Sequence, residues 1–233
     1  MSDQVAELTV VRHGQSIANV AFAAAQTAGL LDSGVTGRDA EVELSPLGWA
    51  QAEALGRWLA GLAAARSPEV MVCSPYLRAW QTWLCAAGTA ADLGVMLPES
   101  TADPRLCDRL MGELELLTTA AVTDRYPAEA ARRRAAGEFG YCPPGGESLG
   151  DIAVRLTALL DDLHCHCPGR RVLLVTHDAI VLMLRYVIER LTFDDLAAIV
   201  RDGPVANASV TRFDGSSGQL RLVEYNAVNH LIG

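Results

Sequence analysis

Three short, continuously apolar runs rich in β-branched residues punctuate the chain: Leu8 to Val11, Val70 to Cys73 and Val172 to Val175. Runs of this length without apolar/polar alternation read as strands buried on both faces, the pattern of a parallel sheet. Each is followed by helical spacing. The pattern predicts helices over Gln15 to Ala28, closed by Gly29, over Pro75 to Ala87, closed by Gly88, and over Ala179 to Leu191, with Thr192 capping a further short helix. Between the first two strands, Ser45 and Pro46 read as an N-cap and a first helical residue. Leu47, Ala50, Ala54, Leu55, Trp58, Leu59 and Leu62 then form one apolar stripe. Ser148 and Asp151 read as a capping box opening a helix with the stripe Ile152, Leu156, Leu159, Leu160 and Leu163.

Strands alternating with helices imply right-handed crossovers and an α/β fold: a three-layer α/β/α, doubly wound, mostly parallel sheet. Val205 to Phe213 and Gln219 to Tyr225, around Asp214-Gly215, read as a hairpin extending one edge of that sheet. The Pro-, Gly- and charge-rich stretch of about 98–147 holds two predicted helices. It reads as an insertion folded over the sheet's edge and the strand carboxyl ends within a single domain spanning 1–233.

Composition narrows the function. Half of the 233 residues are apolar, enough for one well-filled core. A net charge of -9 and a pI near 5.0 exclude the basic face a nucleic acid would need. An anionic substrate must instead be held by a local cluster drawn from the 19 basic residues, all of them arginine. Neither a signal segment nor a run of roughly 20 apolar residues is visible. The six scattered cysteines form no C-x-x-C pair, so a reduced, cytoplasmic protein is expected.

Ligands of an open parallel sheet bind outside the strand carboxyl ends. Those ends carry Arg12-His13-Gly14, Ser74-Pro75-Tyr76-Leu77-Arg78 and Thr176-His177-Asp178, so two histidines and two arginines converge from distant segments. Arg78 falls in the first turn of its helix, where the dipole disfavours a cation by up to ~1 kcal/mol. An anion between Arg12, Arg78 and the N-terminus of the Gln15 helix would relieve that conflict. A neutral imidazole is a competent nucleophile toward phosphorus, guanidinium forks bind the equatorial oxygens, and no metal is required. Gly14 suits a close approach of backbone to phosphate, or simply a tight strand-to-helix turn.

The run Thr9-Val10-Val11-Arg12-His13-Gly14-Gln15-Ser16, with Asn19 after it, resembles the "RHG" signature of the histidine phosphatase superfamily, which includes cofactor-dependent phosphoglycerate mutases and fructose-2,6-bisphosphatases. Ser74, Pro75, Arg78, Ala79, Gln81 and Thr82 are similar to its second motif. Pro144-Gly145-Gly146-Glu147-Ser148 and Val175-Thr176-His177 resemble its third and fourth, and Asp32 to Gly48 the run between the first two. The resemblance implies that His13 accepts the phosphoryl group and that Arg12, Arg78 and His177 form the pocket stabilising it. Asn19 would add a phosphate contact, and Gln15 and Ser16 lie in the same opening turn. The family's proton-donating glutamate aligns with Asp108 in Leu106-Cys107-Asp108-Arg109-Leu110-Met111-Gly112, with Glu113 and Glu115 as neighbouring substitutes. Asp178 replaces the family's usual glycine after His177, and is expected to cap the following helix.

Other features invite blander readings. His164-Cys165-His166-Cys167 cannot turn all its ligands to one ion and is not assigned to a metal. Arg132-Arg133-Arg134 reads as a solvated helix face, and Asn207-Ala208-Ser209 as a glycosylation pattern without a secretory context. The expectation is a metal-independent, cofactor-free phosphatase that hydrolyses a small phosphomonoester through phosphorylated His13. The alternatives are mutase-type phosphoryl transfer and a non-catalytic phosphate-binding regulatory protein. An Ala- and Leu-rich helix surface leaves room for a homodimer; neither nucleic acid nor membrane is expected as a partner.

Overall fold

The computed structural model describes residues 4–232. Strands β1 (Glu7–Arg12), β2 (Val70–Cys73), β3 (Ser100–Ala102), β4 (Arg171–Thr176), β5 (Val210–Asp214) and β6 (Arg221–Ala227) form one sheet in the order β3-β2-β4-β1-β5-β6. The first four are mutually parallel, and the β5-β6 hairpin runs antiparallel beside β1. The helices are α1 (Ile17–Ala28), α2 (Pro46–Ala60), α3 (Leu77–Asp92), α4 (Thr119–Arg125), α5 (Pro127–Gly140), α6 (Leu149–His166), α7 (Asp178–Glu189) and α8 (Phe193–Arg201).

The unbroken apolar runs are explained by what covers each face. Leu8, Val10, Val172 and Leu174 pack against Ile152 and Leu156 of α6 and Ile180 and Leu184 of α7. The intervening Val11, Leu173 and Val175, with Met71, face Leu55 and Leu59 of α2 and Trp83 and Ala86 of α3. Adjacent residues of one strand thus enter opposite cores, each side chain worth about 1.5–3 kcal/mol on burial, and the result is the expected three-layer α/β/α sandwich. β4 lies between β1 and β2 although it comes last of the three in sequence. The carboxyl ends of all three therefore meet in register, with Arg12 opposite Thr176 and Cys73 opposite Val175.

Several local expectations differ from the structure. Helix α3 runs through Gly88 to Asp92, because burial of Ala86 and Ala90 outweighs the roughly 1 kcal/mol cost of an internal glycine. The chain turns instead at Gly94, at φ +81°. Helix α7 ends at Arg190, which takes the left-handed conformation at φ +55° without being glycine. His177 stands at the cap position and Asp178 is the first residue of α7, so the carboxylate serves the helix from inside its first turn, Oδ1 accepting the Ala179 N–H at 2.8 Å. Within the stretch 98–147, α4 and α5 match the two expected helices, α5 carrying a break at Gly137. They enclose a small cluster of Leu114, Val122, Ala130 and Tyr141. The three-residue β3, polar and paired only with β2, gave no periodic signal. Among the described residues, no helix is long and apolar enough to cross a membrane.

Candidate active site

Register delivers the site. His13 N–H donates to Thr176 O at 2.8 Å and Ser74 N–H to Val175 O at 2.9 Å, so the residues leaving β1, β2 and β4 share one rim. Thr176 Oγ1 donates to Leu106 O at 2.7 Å, which draws the segment carrying Asp108 onto that rim. His13 and His177 stand edge to face with ring centroids 5.1 Å apart, both essentially buried.

The tautomer of His13 follows from its partners. Nδ1 is 2.7 Å from Gly14 O, and a carbonyl can only accept, so Nδ1 carries the hydrogen. Nε2 is left with a lone pair, which accepts the Arg78 Nε–H at 3.1 Å. Burial holds the His13 pKa well below its ordinary value, aided by the positive Arg78, by His177 and by Arg12, while the hydrogen bond to Gly14 works the other way. The imidazole is therefore neutral at neutral pH and presents Nε2 as a nucleophile. Burial, then Arg78, Arg12 and Arg155, lower His177 likewise.

Arg78, only 4% exposed, spends every N–H on a protein acceptor. Besides His13, Nη1 reaches Asp39 O at 2.7 Å and Asp39 Oδ1 at 3.0 Å, and Nη2 reaches Asp39 Oδ2 and Asp108 Oδ2, each at 3.0 Å. Burial opposes its charge, but Asp108 and Asp39 outweigh burial and raise its pKa. The adverse position of a cation at a helix N-terminus is thus balanced by two carboxylates of the protein itself. Asp108 Oδ2 also lies 3.4 Å from His177 Nδ1, and Asp108 Oδ1 accepts the Arg109 N–H at 2.8 Å. Of the three candidate acids, Asp108 is the one on Arg78; Glu113 is exposed, and Glu115 accepts the Asp39 N–H at 2.9 Å.

Arg12 donates to Val205 O through Nη1, and its Nη2 lies 3.5 Å from Asp178 Oδ2. Asp178 therefore turns toward an arginine of the site. Arg12 Nε and His177 Nδ1 are buried without a hydrogen-bond partner. Buried polar atoms are normally paired, and two orphans at one rim mark a place for an acceptor-rich ligand such as phosphate.

The opening turn does other work. Ser16 caps α1, with Oγ accepting the Asn19 N–H at 3.1 Å and Asn19 Oδ1 accepting the Ser16 N–H at 3.0 Å. Asn19 Oδ1 also accepts from Asn207 Nδ2 at 3.1 Å, so the Asn19 amide Nδ2 is the group left for an anion. Gln15 Oε1 accepts the Ser45 hydroxyl at 2.7 Å and fastens α2 to the turn. A Cβ on Gly14 would stand 2.6 Å from Gly48 O, so backbone crossing backbone already requires a glycine here. His164 Nδ1 accepts the Val5 N–H at 3.3 Å and His166 Nδ1 donates to Asp162 O at 2.8 Å, so that pair points apart. Arg132 and Arg133 are paired with Glu129 and Glu138.

Three site residues escaped sequence reasoning. Asp39 lies in a loop without periodicity. Ser74 was visible as a motif residue and Tyr76 as a strand-end neighbour, neither with a role, yet Ser74 Oγ is 2.9 Å from His177 Nε2, and the Tyr76 ring packs on both His177 and Arg78. Beside Asp39 and Asp108 opens a cavity of about 540 Å³, walled by Phe22, Tyr76, Leu110, Met111 and Leu114, with Arg38 and Arg109 among its cations. Arg109 is committed to Glu138, Tyr141 O and Glu147 O.

Comparison with known proteins agrees with this geometry. The family model described as the histidine phosphatase superfamily (branch 1) matches residues 8–228. A 2,3-bisphosphoglycerate-dependent phosphoglycerate mutase of Rhizobium etli is 30% identical over 230 residues, 97% of each chain. A metal-independent phosphoserine phosphatase of Arabidopsis thaliana is 26% identical, over 99% of this chain and 85% of the other. Among solved structures, a mycobacterial glucosyl-3-phosphoglycerate phosphatase in complex with VO3 superposes with a TM-score of 0.72 at 29% identity, covering 95% of this chain and 99% of the other.

Proposed function

Because this chain belongs to the histidine phosphatase superfamily, we propose that it is a metal-independent phosphomonoester hydrolase working through a phosphohistidine on His13. The carrying observation is the neutral, Nδ1-protonated His13, whose Nε2 lone pair faces Arg78 at 3.1 Å. Nε2 attacks phosphorus in line as the bond to the leaving oxygen breaks, and Asp108, acting as general acid, gives that oxygen a hydrogen. Arg12, Arg78 and the Nδ1–H of His177 stabilise the charge on the equatorial oxygens. In the second half, Asp108 takes a proton from water, the water oxygen bonds to phosphorus, the N–P bond breaks, and orthophosphate leaves.

Mutase chemistry is the second reading, favoured by the similarity to the Rhizobium enzyme along the whole chain. A mutase must hold a doubly phosphorylated intermediate, and of the two cations lining the cavity Arg109 is already engaged by Glu138, Tyr141 O and Glu147 O, which leaves Arg38. Hydrolysis of a singly phosphorylated substrate with a partly apolar leaving group fits that wall better. The relatives' names span phosphoserine and glucosyl-3-phosphoglycerate, both phosphomonoesters of small polar molecules.

The test is hydrolysis of an aryl phosphate in EDTA, with acid-labile phosphate trapped on the protein in parallel. Turnover and labelling should both vanish in His13→Ala. Asp108→Asn should lose a hundredfold or more on poor leaving groups while keeping phosphate affinity, as expected for a general acid worth about 10²–10⁴. A wild type that neither turns over nor labels leaves only a phosphate-binding protein.

A further inference from the structure

We propose that Asp39 is a positioning residue for phosphoryl transfer: its carboxylate grips the outer fork of Arg78 and so aims the inner edge of the guanidinium at the phosphoryl group on His13. The inference rests on the reading of His13 as phosphoryl acceptor.

A guanidinium has two edges that can each bind a bidentate partner, the Nη1/Nη2 fork and the Nε/Nη2 side. Asp39 takes the fork, Oδ1 on Nη1 and Oδ2 on Nη2, both at 3.0 Å, and its carbonyl takes the remaining Nη1 hydrogen at 2.7 Å. The Nε/Nη2 side faces His13 Nε2 at 3.1 Å and Asp108 Oδ2 at 3.0 Å. A phosphoryl group bonded to Nε2 lies against that inner side. Its oxygens replace His13 and Asp108 as acceptors there and leave the outer pairing untouched.

The two carboxylates therefore have separate work. Asp108 must face the leaving oxygen, so it cannot also be the anchor of a buried cation. Asp39 supplies the anchor, itself held at the start of a 3-10 turn (Asp39–Glu41) by its N–H to Glu115 Oε1 at 2.9 Å. If Asp39 instead occupied the phosphate's own place on Arg78, removing it would tighten phosphate binding. The division of edges demands the other sign, and a guanidinium released from its plane misplaces donors where a shift of about 1 Å can cost 10²-fold.

The test compares Asp39→Ala, Asp39→Asn and Asp39→Glu in the full chain. It measures equilibrium binding of inorganic phosphate and of vanadate, which becomes five-coordinate at a nucleophile and resembles the transition state, with kcat and KM on an aryl phosphate. Asp39→Ala and Asp39→Asn should weaken vanadate about tenfold or more beyond any change in phosphate, and lower kcat about ten- to a hundredfold with KM within about threefold. Asp39→Glu, keeping a bidentate carboxylate, should recover part of both losses. Tighter phosphate binding, equal losses of phosphate and vanadate, or unchanged kcat would overturn the proposal. If the alanine variant does not fold, the near-isosteric Asn and Glu variants decide. Both binding measurements are independent of turnover, so a wild type that forms no phosphohistidine defeats the phosphatase reading while the vanadate-to-phosphate ratio still judges Asp39.

Discussion

Ser74 Oγ is 2.9 Å from His177 Nε2 and takes the Tyr76 N–H at 3.3 Å. If the imidazole hydrogen sat on Nε2, the Nδ1 lone pair would face the Asp108 carboxylate at 3.4 Å, an arrangement without compensation in a buried site. The hydroxyl therefore donates to Nε2 and the imidazole hydrogen stays on Nδ1, directed at Asp108 and at any phosphoryl oxygen beside it. Ser74→Ala removes the group that holds this tautomer. The expected result is a fall in kcat of about tenfold with KM little changed, about 1.4 kcal/mol of transition-state stabilisation, restored by Ser74→Thr. Nitrogen-15 shifts of His177 check the cause directly: the wild type should show hydrogen on Nδ1, and the alanine variant a mixture. A wild type with the hydrogen on Nε2 would reverse the assignment.

Among the elements, two glycines of adjacent helices carry opposite predictions. Gly88 is exposed inside α3, and a Cβ there meets nothing within 4 Å. Gly88→Ala should raise stability by about 0.5–1 kcal/mol, as removal of an internal helix glycine does. Gly48, at the start of α2, would place a Cβ 2.0 Å from Gln15 O, a backbone atom that cannot swing away. Gly48→Ala should cost about 1–3 kcal/mol or more and reduce activity, because α2 would be pushed off the turn that carries His13. Denaturant midpoints of the two variants settle both. The same pair shows what could be read beforehand. Strands β1, β2 and β4 and the ends bearing His13, Arg78 and His177 were legible because burial on two faces writes a continuous apolar run. Ser45, Ser148 and Thr192 were legible because caps have local chemistry. Gly88 misled, since whether a glycine ends a helix depends on packing from α2. Asp39 left no trace, since its role comes from a fork on Arg78, 39 residues away.

For the molecule as a whole, the site makes stability depend on pH. His13 and His177 are buried neutral, with pKa values held well below the ordinary 6.5, first by burial and then by the neighbouring arginines. In the unfolded chain both titrate near 6.5. As pH falls past that value, the unfolded state takes up protons that the native state refuses, so stability is full above about 6.5–7.5 and declines below it. Each histidine contributes up to about tenfold in the folding constant per pH unit until its native pKa is reached, so the pair contributes up to about a hundredfold. His164 and His230, also lowered chiefly by burial, add a smaller term of the same sign. Denaturant unfolding between pH 7.5 and 5.5 should show this slope, and a His13→Asn, His177→Asn double variant should lose most of it. An unchanged slope in the double variant would mean that these imidazoles are not held neutral by the fold. The same depression keeps the His13 nucleophile unprotonated in mildly acidic solution, so loss of activity on acidification should track unfolding rather than titration of His13.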